Sequence, residues 1–103
     1  MNEIIVLEGL TAIKNRINLS SGFAHPNDKG CTIEMLRRLK NAGYLLDSLF
    51  IRDWALQNGF KVSDAEKLKE YVEGVNLGKK YRIGSSPYWK DDIIDFLEQK
   101  HRN

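Results

Sequence analysis

A single cysteine, Cys31, has no second thiol to pair with, so the chain cannot close an internal disulfide. Histidine is nearly as scarce. His25 and His101 stand far apart, and no Cys/His spacing of the zinc-site kind occurs, so neither a metal nor any other cofactor is expected. Long hydrophobic runs are missing too: residues 4–7 are flanked by Glu3 and Glu8, too short for a signal-peptide core and far too short to span a bilayer. That makes the cytoplasm the expected address and excludes the membrane as a partner. None of the eight glycines builds a phosphate-binding loop after a strand, so no nucleotide site is indicated. Charge of one sign is also wanting, since a net charge of +2 lacks the strong basic imbalance of a dedicated nucleic-acid binder.

What remains is an ordinary globular composition. The 103 residues suit one domain with one core, and 42% apolar against 29% charged residues is far from the signature of disorder. Ile4, Leu7, Leu10, Ile13 and Ile17 recur every three or four positions, which predicts a helix after an Asn2 cap. Residues 18–30 concentrate turn formers and read as a mobile surface loop in which Phe23 tacks back onto the core. Thr32 is the expected cap of a second helix, with Ile33, Leu36 and Leu39 inward and Gly43 as its left-handed stop. Asp47 caps a third, whose apolar side is read as Leu49, Phe50, Trp54 and Leu56 and whose end is Asn58 and Gly59. Ser63 and Glu66 form a capping box for a fourth, carrying Ala65, Leu68, Val72 and Val75 inward up to Gly78. Residues 79–83 alternate briefly, enough for one short extended segment, and Ser86 then Pro87 open a last helix bearing Ile93, Ile94, Phe96 and Leu97. The fold class is therefore all-α, a compact bundle of about five short helices.

Three blocks bear on kinship: Leu36-x-x-Leu39-x-x-Ala42-Gly43, then Trp54-Ala55-x-x-Asn58-Gly59-Phe60-x-x-x-Asp64-Ala65-x-x-Leu68, and Pro87-Tyr88-Trp89-x-x-Asp92-Ile93-Ile94. Together they resemble the uncharacterised YoaC-like family of small bacterial proteins. The resemblance implies an all-helical fold and supplies no catalytic residue.

Candidate functional residues fall in two places. The helix pair over residues 48–76 has the small residues and glycine turn of a helix-turn-helix, yet its second helix offers Asp64, Glu66, Glu70 and Glu73 against Lys67 and Lys69, a face that phosphates repel. Plain packing explains the pair as well. In residues 79–90, Lys79, Lys80, Arg82 and Lys90 are interleaved with Tyr81, Tyr88 and Trp89, a mixture that suits stacking on unpaired bases or anchoring at a protein interface, while packing of Tyr81 and Trp89 between the last helix and the bundle, with the lysines solvated, explains it as well. Asp91, Asp92 and Asp95 open a helix, where negative charge is favourable without any catalysis. No base, nucleophile or ligand set accompanies them, so no enzyme is expected. Cys31 is expected to be a small apolar side chain, and a reactive thiol stays open because the expected helix start lies beside it. The leading expectation is a non-enzymatic accessory domain that binds an unidentified protein through Lys79, Lys80, Arg82, Tyr88, Trp89 and Lys90. Nucleic-acid binding through the helix pair or the basic aromatic stretch is the alternative.

Overall fold

The computed structural model describes the backbone of residues 2–83 and 87–101, and the side chains of residues 4–83 and 90–100. Among the described residues there are five α-helices and no strand: α1 (Asn2–Lys14), α2 (Pro26–Asn41), α3 (Ser48–Gln57), α4 (Val62–Asn76) and α5 (Pro87–His101), with a 3-10 turn at Gly22–Ala24. The all-α bundle is as expected. Residues 79–83 form no ladder and run as irregular chain.

α2 is the central rod. It packs against α1, α4, α5 and the 3-10 turn, while α3 lies on α4 and α5 also touches α1. Its buried face is Cys31, Thr32, Ile33, Met35, Leu36 and Leu39. The helix begins six residues before the expected Thr32. His25 is the N-cap, its Nδ1 accepting the Asn27 N–H at 3.2 Å, and Pro26 takes the first helical position, where its missing N–H costs nothing. The run His25-Pro26-Asn27-Asp28 therefore starts a helix instead of continuing a loop. Thr32 is buried inside it, with its hydroxyl donating to the Asp28 carbonyl at 2.9 Å. Cys31 lies in the second turn, buried, and not before a helix start.

The shortened connection between α1 and α2 is tied down at several points. The Asn18 side chain accepts the Ser20 N–H at 2.9 Å, the Lys61 ammonium donates to the Ser20 carbonyl at 2.6 Å, and Phe23 is buried as expected. Gly22 has φ +58°, and a Cβ there would collide with the Asp64 carboxylate. Asp64, only 5% exposed, accepts the Phe23 N–H at 3.3 Å. This carboxylate was expected on the outer face of α4; it is turned inward because it satisfies the backbone of the 3-10 turn, a group that would otherwise be buried without a partner.

Glycine stops behave as expected: Gly43, Gly59 and Gly78 follow α2, α3 and α4 with φ of 97°, 91° and 76°. The α4 start differs. Lys61 occupies the cap position without a side-chain hydrogen bond to the first turn, and Ser63 already sits inside the helix, so the capping box does not form. At the other end of α4 the Lys40 ammonium donates to the Val75 and Asn76 carbonyls at 2.9 and 3.0 Å, placing a cation where the helix dipole favours one. α1 already includes Asn2, and it buries Val6, Leu10 and Ile13 while Ile4 is exposed. α5 closes the bundle with Ile93, assisted by ion pairs from Asp92 to Arg16 and from Lys100 to Glu8.

The largest difference concerns α3. Its buried stripe is Ile51 and Ala55, with Trp54 half-buried, because the small Ala55 lets α3 come close to α4. Leu49, Phe50 and Leu56, expected inside, face outward.

Candidate functional site

The stretch after α4 helps to build a concavity. Gly78 reverses the chain, with the Lys79 N–H donating to the Gly74 carbonyl at 2.8 Å, so residues 79–83 lead away from the helix end. Tyr81 then settles on Gly74. A glycine in a helix interior costs roughly 1 kcal/mol against alanine, and the close approach is its reason, because a Cβ at Gly74 would overlap the Tyr81 hydroxyl.

A row of aromatic rings runs beneath. Trp54 meets Phe60 at 6.0 Å between centroids, Phe60 meets Phe23 at 6.1 Å, Phe23 meets Tyr71 edge-on at 5.4 Å, and Tyr71 meets Tyr81 edge-on at 6.1 Å. At the Tyr71–Tyr81 end the row opens into a cleft of about 560 Å³, where Lys29, Lys67, Lys79, Glu70 and Glu73 join the two tyrosines. The Lys29 ammonium stands 5.8 Å from the centre of the Tyr71 ring and the Lys79 ammonium 4.9 Å from that of Tyr81. Burial, then the neighbouring Tyr81 and the Glu70 and Asp64 carboxylates, raises the Tyr71 hydroxyl above its ordinary value; burial and Glu70 do the same for Tyr81. Both phenols are therefore hydrogen-bond donors at neutral pH.

A second feature is the outward stripe of α3. Leu49, Phe50, Asp53 and Leu56 share one face at helical spacing, with Leu49 52% exposed, and Leu45, 76% exposed, lies in the connection before α3. Acidic groups surround it. Arg52 pairs with Asp53 at 3.1 Å and with Glu66 at 3.6 Å, Glu73 accepts from the Ser48 hydroxyl at 3.4 Å, and the Asp47 carboxylate caps α3.

The sequence-predicted residues are only partly gathered. Lys79, Lys80 and Arg82 are exposed on the same stretch, and of these Lys79 lines the cleft. Lys90 is half-buried on α5, and the side chains of Tyr88 and Trp89 lie outside the described residues. Lys29, Lys67 and Tyr71 were missed; Gly74 inside an apolar helix pattern was the one signal that something approaches α4 closely. Asp92 is engaged by Arg16, which supports a structural role. Burial pushes the Cys31 thiol up to about 11, with Arg16 opposing and Asp28 and Asp92 adding, so it is held as neutral thiol. Among the described residues no helix is long and apolar enough to cross a membrane, and no group of three or more His, Cys, Asp or Glu residues is placed to hold a metal.

The chain matches the family model of the domain of unknown function DUF1889 over residues 1–98. No curated protein and no solved structure resembles it closely enough to count as a match.

Proposed function

We propose that this chain, which belongs to the DUF1889 family, is a non-enzymatic protein-binding domain that receives a basic amphipathic helix of a partner on the outward stripe of α3. The observation that carries the reading is the exposure of Leu49, Phe50 and Leu56 on one face of a helix whose opposite stripe is already packed. Apolar side chains grouped at helical spacing on a surface mark a site where another element is laid down. The stripe from Leu49 to Leu56 covers about two turns, roughly 10 Å at 1.5 Å per residue. Such a stripe falls short of the ~800 Å² per partner of a standard stable interface, so the charges beside it must contribute. Those charges are Asp47, Asp53, Glu66 and Glu73 with Arg52, a locally acidic surround that favours a basic partner. A second copy would set acid against acid. Duplex nucleic acid would meet the same repulsion.

The reading keeps the expectation of a bacterial, cytoplasmic, YoaC-like accessory domain, and moves the docking surface from residues 79–90 to α3. Its test uses two synthetic helical peptides with one leucine face and either lysines or glutamates opposite, titrated against the full chain by fluorescence anisotropy. Saturable binding of the lysine peptide alone is expected, with a loss of at least tenfold in the Leu49→Ser, Leu56→Ser double variant at unchanged melting temperature. Equal binding of both peptides, binding that survives the double substitution, a dimer in sedimentation analysis, or salt-sensitive capture of duplex DNA would each overturn it.

A further inference from the structure

We propose that the cleft formed by α4, the first turn of α2 and the stretch after α4 binds a small organic anion carrying an aromatic ring. The site lies apart from the α3 stripe and does not depend on the reading of that surface. Three lysines line it from three separate parts of the chain: Lys29 on α2, Lys67 on α4 and Lys79 beyond the Gly78 reversal. Among the described residues none of the three is in an ion pair, whereas Arg16, Arg37, Arg38, Arg52 and Lys100 all are. Two carboxylates, Glu70 and Glu73, share the lining, so the three lysines leave it one positive charge in excess. An incoming anion balances that excess and gains lysine donors.

The rest of the lining specifies more than charge. Tyr71 and Tyr81 present rings at 84° to each other, so one offers an edge where the other offers a face, and Phe23 adds apolar surface behind them. Aromatic ligands prefer offset-stacked and edge-on arrangements of this kind. Both phenol hydroxyls and the ammoniums are donors, which fits an acceptor-rich acid group, either a phosphate or a carboxylate. About 560 Å³ lies within the range of small-molecule sites and suits a ligand of one or two rings. The wall itself depends on Gly74, whose missing side chain is what admits Tyr81.

The experiment is an amide-resolved NMR titration of the full chain with phenyl phosphate, benzoate, inorganic phosphate and phenol as separate probes. Saturable shifts at Gly74, Lys79 and Tyr81 are expected with phenyl phosphate or benzoate, and the stronger of the two identifies the acid group. Inorganic phosphate and phenol are expected to bind at least tenfold more weakly. The Lys67→Ala, Lys79→Ala double variant, altered only at exposed positions, is expected to lose at least tenfold in affinity without a change in melting temperature; Gly74→Ala, which must displace Tyr81, is expected to lose the binding as well. No saturation with either ring-bearing anion, equal binding of inorganic phosphate, or unchanged affinity in the double lysine variant would overturn the proposal.

Discussion

At the scale of single residues, Gly22 and Asp64 depend on each other. The positive φ of Gly22 and its missing Cβ make room for a carboxylate that in turn accepts the Phe23 N–H, so a turn near the start and a helix in the second half share one buried polar contact. Cys31 shows the converse case, a group kept neutral by apolar surroundings. Its thiol ionises near 9.0 when freely exposed and near 11 in the fold. The folded state therefore holds the proton more tightly, so this contribution is complete below about pH 9, falls away as pH rises toward 11, and then levels. It amounts to on the order of 2–3 kcal/mol. Urea unfolding measured from pH 8 to 11 is expected to show declining stability that is shallower between 9 and 10 in Cys31→Ala; identical slopes would show that the thiol is not the titrating group. The tyrosines, raised from 10.0, add their share at higher pH.

At the scale of elements, the start of α2 rests on the imidazole of His25. Its acceptor satisfies one of the free N–H groups of the first turn, an interaction whose loss costs roughly 0.5–2 kcal/mol at an N-cap. His25→Ala is expected to lower the melting temperature by about 4–8 °C per kcal/mol lost, and His25→Asp to restore it, as calorimetry would register; an unaltered transition in the alanine variant would show that the cap is dispensable. The same element marks where sequence reading stops. Glycine stops and apolar periodicity made all five helices legible, because those signals are local. The start of α2 was not, since a histidine and a proline in polar surroundings look like a loop until a partner N–H is placed beside the imidazole. Nor was the buried side of α3, where Leu49, Phe50 and Leu56 compete with Ile51 and Ala55 and only the closeness of α4 chooses between them. The cleft was the least legible, because Lys29 joins Lys67 and Tyr71 through the packing of α2 against α4, and Lys79 joins them through the chain reversal at Gly78.

At the scale of the molecule, α2 joins α1 and α5 on one side to α4 on the other, with α3 beyond. Leu36, completely shielded from water, sits in that shared layer. Leu36→Ala is expected to cost about 2–5 kcal/mol, a large share of the ~5–15 kcal/mol typical of such domains. Circular dichroism and tryptophan fluorescence are expected to report one coincident transition in both the parent and the variant. Two separated transitions would mean that the parts on either side of α2 fold independently.

The reach of Lys40 to the last carbonyls of α4 has a mechanical corollary. Two rods held only by greasy surfaces can slip lengthwise by a turn and find another acceptable fit. An ammonium anchored on a pair of oxygens at one tip leaves a single axial offset available, and that offset determines which residues on the two rods end up side by side.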